Sequence, residues 1–176
     1  MLIRAASFED LPEILVIYNH IISHSSAVYC DDPVTLENRQ AWFAERQQQA
    51  YPVIVAQQQG KVVGYASFGD FRAYPGFRFT VEHSVHLAEN CRGGGLGTAL
   101  MQELLRQATA LGKHVMIAAV DGANQGSIRF HQRLGFTEVG QLPEVGYKFG
   151  RWLDLVLLQR RLQGADGVAT QYNTGQ

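Results

Sequence analysis

The order of apolar and polar positions divides the chain into alternating strands and helices. "LIRAA" reads as a short first strand. Leu11, Ile14, Leu15, Tyr18, Ile21 and Ile22 then recur at the spacing of one helix face. Ser7 and Asp10 have the form of a capping box ahead of that face, with Pro12 in the first turn. Thr35 opens a second helix carrying Leu36, Ala41, Trp42 and Phe43. "YPVIVAQQ" and "KVVGYASFGDF" read as strands joined by a hairpin turn at Gln59-Gly60. "RFTVEHSVHLA" is the next strand. From Leu96 to Leu111 the residues Leu100, Leu104, Leu105, Ala108 and Leu111 form a helical stripe, and Gly112 stands where a left-handed C-cap belongs. "HVMIAAV" is unbroken in its apolar character, as a buried strand is. A short helix runs from Asn124 to Gly135, and two strands close the pattern, about "FTEVGQL" and "RWLDLVLLQRRL". The order β-α-α-β-β-β-α-β-α-β-β predicts an α/β (α+β) fold: one domain with a mixed central sheet of about seven strands and helices on both faces.

Composition agrees with one domain. The chain has 176 residues, 46% of them hydrophobic, enough for a substantial core. The domain is expected over residues 1–163, with a polar, glycine-bearing tail at 164–176 that frays. A net charge of −1, with no block of like charge, gives no reason to expect a nucleic-acid partner. Two cysteines, Cys30 and Cys91, make neither a metal signature nor a disulfide framework, which fits a reducing cytosol. The first residues lack a signal-peptide core, and runs such as "ILVIY" are too short to span a bilayer. A cytoplasmic protein with no membrane partner and no metal is the expectation.

The chemistry concentrates around "EHSVHLAENCRGGGLGTALM", Glu82 to Met101. Four glycines, Gly93, Gly94, Gly95 and Gly97, lie between a strand and a helix. A helix N-terminus leaves backbone N–H groups unpartnered and carries about half a positive charge. Glycines ahead of it let a ligand approach the backbone, so this junction suits a phosphate or pyrophosphate. A nucleotide P-loop would need lysine after the turn, whereas Thr98 follows Gly97. The dinucleotide fingerprint fails because Thr98 takes the third glycine's place and the strand lies mid-chain. A tight turn without a ligand stays open on these residues alone.

Arg92-Gly-Gly-Gly95-Leu-Gly97 resembles the Arg/Gln-x-x-Gly-x-Gly motif of the GNAT acyl-CoA-dependent N-acetyltransferases. It holds that family's place between the fourth strand and third helix. "DGANQGSIRFHQRLGF" resembles the family's second conserved region, and the element order matches from about residue 2 to residue 162. "GFRFTVEHSV", "GKHVMIA" and "VGYKFGRWLDLVLLQ" are similar to the phosphinothricin and methionine-sulfoximine N-acetyltransferase branch. The resemblance implies that the fourth and fifth strands splay around acetyl-CoA. Main-chain groups of Val85, His86 and Leu87 would pair with the pantetheine arm like an added strand. Amides of Gly93, Gly94, Gly95, Leu96, Gly97 and Thr98 would wrap the pyrophosphate, with Arg92 adding charge or pointing to solvent. Asn124 would bind the arm or cap its helix. Gly94 stands where many relatives carry lysine, and Ala88-Glu89 where many carry proline.

The resemblance also names catalytic candidates. Glu82 lies where the branch has its general base, and a carboxylate half-buried beside Val81 and Val85 would have a raised pKa. An ordinary solvated strand glutamate is the alternative. His131 occupies the place of a tyrosine that protonates the departing thiolate, and could instead pack against the coenzyme arm. A bulge usual in the family's fourth strand would bring Val85 N–H to the oxyanion and alter the facing of His83 and His86. For the acceptor, Arg72 and Arg78 lie among Phe71, Tyr74, Phe77 and Phe79, and a guanidinium among aromatics suits a carboxylate. Tyr29, Arg72, Tyr74 and Arg78, with Glu82, His83 and Ser84, form the expected acceptor set. The implied activity is acetylation of the α-amino group of a small amino acid such as methionine sulfoximine, methionine sulfone or phosphinothricin. A peptide acetyltransferase and a non-catalytic acyl-CoA sensor are the alternatives. A homodimer is common in the branch, and Trp152 and Leu153 could belong to its interface or to the core.

Overall fold

A computed structural model of the chain describes residues 1–91 and 93–162. The expectations for Arg92, for the domain limit at 163 and for the tail lie outside these residues. The elements follow in the expected order: β1 (Leu2–Ala5), α1 (Leu11–His24), α2 (Leu36–Gln48), β2 (Val53–Gln58), β3 (Lys61–Asp70), β4 (Thr80–Leu87), α3 (Leu96–Ala110), β5 (Val115–Asp121), α4 (Gln125–Arg133), β6 (Thr137–Lys148) and β7 (Arg151–Arg161). The strands form one mixed seven-stranded sheet in the order β1-β2-β3-β4-β5-β7-β6. Every neighbouring pair is antiparallel except β4–β5, which is parallel and connected through α3.

Local chemistry sets the boundaries. Asp10 Oδ2 accepts the Ser7 N–H at 2.7 Å and an Arg4 N–H at 2.7 Å, closing the chain entry into α1. Thr35 Oγ1 caps α2 through the Asn38 N–H. Gln59 and Gly60, both at positive φ, make the tight β2–β3 turn. Helices cover both faces of the sheet. Leu100, Leu104 and Ala108 of α3 are fully buried over Ile54, Ala66, Phe68 and Val81. On the opposite face Ile14, Ile17 and Ile21 of α1 and Phe43 of α2 pack on Val53, Val55 and Tyr65. Each fully buried leucine or isoleucine contributes about 2 kcal/mol by area.

Two expectations change. β6 runs six residues beyond Leu142, to Lys148, with irregular register near Gly140 and between Leu142 and Gly146. Its residues are exposed on both faces over most of its length, so the period-two signal is missing. The fourth strand carries no bulge against its neighbour: β3 and β4 pair from Gly64↔Leu87 to Asp70↔Val81 in one unbroken register. The strict alternation of a strand therefore holds along β4.

The loop after α1 is fixed from the far end of the sheet. Lys148 is 1% exposed, and its Nζ donates to Ile22 O at 2.7 Å, Ser25 O at 2.9 Å and Val28 O at 2.7 Å. Burial pulls its pKa down. Ser26 Oγ donates to Asp121 Oδ2 at the end of β5, and Tyr29 Oη donates to Asp154 O at 3.1 Å on β7.

Candidate active site

β4 and β5 pair at only three positions, Thr80↔Val115, Val81↔Met116 and Glu82↔Ile117. Beyond Glu82 they part, while β4 stays paired to β3 as far as Leu87. In an antiparallel ladder the main-chain groups alternate between the two edges. Ala88 N–H bonds to Val63 O and Phe71 N–H to Thr80 O, so the even-numbered residues of β4 face β3. Val85 and Leu87 consequently turn both N–H and C=O into the gap. His86 turns its main chain to Tyr65 of β3. Its expected main-chain pairing with a coenzyme arm does not fit this register, and it contributes its side chain only.

The gap opens into a cavity of about 1000 Å³ that passes from one face of the sheet to the other. Gly93 and Gly97 line one end, with Asn124, Ser127, Phe130 and His131 of the α4 region; Glu82, Ser84, His86, Tyr18, Tyr29, Arg39, Trp42 and Arg46 line the other. A smaller cavity of about 570 Å³, between α3 and the end of α4, includes none of the expected site residues.

At the glycine turn, Gly93 and Gly95 have φ of +85° and +79°, which side chains rarely adopt. A Cβ on Gly93, Gly94 or Gly95 would meet nothing within 4 Å, so the space over the turn is open. Gly95 is the N-cap of α3, and the first helical bond is Ala99 N–H to Gly95 O. The N–H groups of Leu96, Gly97 and Thr98 precede that bond and point out of the helix end. Gly97 lies against the Phe130 ring, where a Cβ would come within 3.4 Å. Asn124 caps α4, its Oδ1 accepting Ser127 N–H at 3.0 Å, which leaves its amide nitrogen outside the cap.

Alternation splits the β4 side chains between the two faces. Glu82, Ser84 and His86 point toward α1 and α2. His83 points the other way, against His131 at 5.1 Å and Phe136 at 5.6 Å between centroids. It borders the cavity from the α4 side rather than joining Glu82 and Ser84. Burial raises the Glu82 pKa, and the Arg72 charge partly opposes that. The His86 ring packs on Tyr65 and Tyr18, and burial with the Arg39 charge lowers its pKa to about 4. His131 is buried; its Nδ1 donates to Ser127 O at 2.7 Å and its Nε2 has no partner. Burial lowers its pKa despite that bond. Burial therefore favours the neutral ring, in which Nδ1 carries the proton and the bare Nε2 can accept one but has none to give. That form does not favour the expected role of His131 as the acid that protonates the departing thiolate, and it suits the alternative of packing beside the coenzyme arm.

The expected acceptor arginines stand outside the cavity. Arg72 is exposed, donates to Phe71 O at 2.9 Å and lies 4.2 Å over the Phe71 ring. Arg78 is exposed, donating to Pro75 O at 2.9 Å, and Tyr74 is 75% exposed. The cavity wall opposite Glu82 is instead supplied by Arg39, Trp42 and Arg46 of α2. The signal for them was in the spacing. Leu36, Arg39, Phe43 and Arg46 fall three, four and three residues apart, so both arginines share the apolar face of the helix.

A sheet that parts after three parallel rungs, with an open glycine turn at one mouth and a half-buried carboxylate at the other, defines an acyl-transferring class of enzyme. The Acetyltransferase (GNAT) family model matches residues 14–136, and the chain belongs to that family. Within it, the chain is 52% identical over 161 residues to the L-methionine sulfoximine/L-methionine sulfone acetyltransferase of Pseudomonas aeruginosa, covering 91% of this chain and 94% of that protein. It is similar to the phosphinothricin acetyltransferase of Sinorhizobium meliloti solved in complex with AcCoA, with a TM-score of 0.91, 37% identity and coverage of 94% and 90%. It is also similar to a solved structure from Brucella melitensis described as a ribosomal-protein-alanine N-acetyltransferase, with a TM-score of 0.91, 46% identity and coverage of 92% and 100%.

Proposed function

We propose that this enzyme transfers the acetyl group of acetyl-CoA to the α-amino group of a small amino acid of the methionine sulfoximine, methionine sulfone or phosphinothricin type. The observation that carries the reading is the single cavity joining the glycine turn to Glu82 through the β4–β5 gap. Its two ends suit the two substrates. Open space over Gly93–Gly95 and the unpartnered amides of Leu96, Gly97 and Thr98 suit a pyrophosphate. Val85 and Leu87 offer main-chain groups to an amide-bearing arm in the gap, and Asn124 offers its free amide nitrogen beside it. Acetyl-CoA supplies an activated thioester carbonyl, and Val85 N–H is available to that carbonyl's oxygen. Glu82 accepts the proton released by the attacking amine, directly or through water. Burial raises its pKa, which strengthens the carboxylate as a base. A thiol of pKa ~8.5 leaves without an acid, so a neutral His131 is no obstacle.

The proposal extends to assembly and location. β6 is a sheet edge, and Val139, Leu142, Val145, Tyr147, Phe149 and Trp152 around the β6–β7 hairpin are exposed. An apolar group of this size at a sheet edge suits a second copy of the chain. The free cysteines Cys30 and Cys91 fit a cytoplasmic setting. Among the described residues no helix is long and apolar enough to cross a membrane.

Release of free thiol from acetyl-CoA, followed across a panel of amino acids and peptides, tests the reading. Methionine sulfone, methionine sulfoximine and phosphinothricin are expected to accelerate it strongly. Acceleration by N-terminal peptides alone would assign the chain to peptide acetylation, and coenzyme binding without turnover on any amine would make it a sensor.

A further inference from the structure

Two guanidinium groups, those of Arg39 and Arg46, line the cavity beside Glu82, and among the described residues neither has a carboxylate closer than 4.0 Å. Arg39 is 8% exposed. Its Nε and Nη2 both donate to Asn38 Oδ1, a neutral amide, at 3.1 and 2.6 Å. Its guanidinium lies 4.1 Å over the Tyr18 ring and 5.1 Å from the Trp42 ring. Arg46 Nη1 donates to Gln49 Oε1, again neutral, at 2.9 Å. The one carboxylate within ion-pair reach of Arg46 among the described residues is Glu45, at 4.0 Å and 60% exposed. Arg46 Nε is buried with no partner.

The placement of Arg46 relates it to the reacting end of the cavity. Its guanidinium lies on Gly69, where a Cβ would come within 2.6 Å of Nη2. Gly69 is the cross-strand neighbour of Glu82, and paired residues of neighbouring strands share a face of the sheet. Only glycine leaves room for the guanidinium there. Two largely desolvated cations on one wall repel each other and lose hydration, an arrangement that a bound anion relieves. Burial lowers the Arg46 pKa; Glu45, Asp70 and Tyr51 partly oppose that, and the Arg39 charge adds a smaller push in the same direction as burial.

We propose that Arg46, with Arg39 beside it, is the anion-recognition site of the acceptor and holds the carboxylate of the amino acid whose amine faces Glu82. The proposal rests on the reading of a free amino acid as acceptor. The carboxylate lies on the carbon that bears the amine, so a site one strand from the base has the right reach. Tyr18, Trp42 and Tyr65 then enclose the side chain. A peptide acceptor places an amide where this carboxylate would lie, and the wall discriminates against it.

Steady-state kinetics with L-methionine sulfone and its carboxamide test this in the wild type, Arg46→Gln, Arg39→Gln and Arg72→Gln. The wild type is expected to favour the acid. In Arg46→Gln the KM for the acid should rise about 10- to 100-fold, the range of a charge-assisted pair, while the KM for acetyl-CoA stays unchanged. The acid-to-amide preference should fall toward unity, and Arg46→Lys should restore part of it. Comparing the preference between variants cancels the different basicity of the two amines. A preference retained in both α2 variants, or lost only in Arg72→Gln, overturns the assignment. Calorimetry with L-methionine sulfone gives a readout independent of turnover. If no amino acid is acetylated, the functional reading fails, while binding lost on Arg46→Gln still upholds the anion site and equal binding refutes it.

Discussion

Glu82 ends the parallel ladder of β4 and β5, and its environment pulls its pKa in two directions. Burial raises it and the Arg72 charge lowers it. The base form is the carboxylate, so activity is lost as pH falls through this raised pKa. The acid limb of the kcat/KM profile is expected above the ordinary glutamate range, and Arg72→Gln should move it to higher pH. Glu82→Gln should abolish the limb and lower kcat by about 100-fold. A carboxyl that binds its proton more tightly folded than unfolded adds stability only as pH falls through the folded pKa. Burial disfavours the charged carboxylate and so costs stability wherever Glu82 is ionised, and Glu82→Gln should melt at the same temperature or higher. A retained acid limb in Glu82→Gln would remove Glu82 from the role. Much at this scale was legible in the chain: the glycine run and Glu82 stand in one short stretch. What could not be read there was the state of His131. Its lowered pKa comes from burial against His83 and Phe136, contacts made by separate elements, while the Ser127 carbonyl opposes that shift and fixes which ring nitrogen carries the proton.

At the scale of elements, the helical and strand periods located almost every segment because each lays an apolar face on the sheet. They failed where a face was mixed. Arg39 and Arg46 sit in an otherwise apolar stripe of α2, and β6 is exposed on both sides. The even register of β3 against β4 also had no local signature, since pairing depends on both strands. Lys148 was equally hidden, lying in an exposed strand while reaching three carbonyls at the end of α1. Lys148→Met is expected to lower stability by about 3 kcal/mol in denaturant unfolding, because those carbonyls lose a charged donor. It should also raise the KM for the amino acid more than that for acetyl-CoA, since the loop of Ala27, Val28 and Tyr29 lines the cavity and is proposed to border the acceptor. A variant with unchanged acceptor KM would show that the loop needs no such anchor.

At the scale of the whole molecule, the layered architecture of one mixed sheet covered on both faces followed from element order, whereas the strand order, with β7 lying between β5 and β6, did not. Assembly did not, since the apolar residues of β6 and β7 could as well have been core. With Tyr147, Phe149 and Trp152 exposed, sedimentation is expected to find a dimer. Trp152→Glu should shift it to monomer while leaving coenzyme binding intact. A wild type that sediments as a monomer would leave that surface without its proposed partner.

The parting of β4 from β5 means that the crevice is made by omitted rungs, with no inserted loop to shape it. In the proposed reading the coenzyme is met largely by main chain from one side, whereas the amine is met by side chains of α1, α2 and the following loop. Substitutions in those helices can therefore redirect the enzyme to a new amine while its hold on the thioester stays as it was. A single scaffold can in this way diversify by editing one wall.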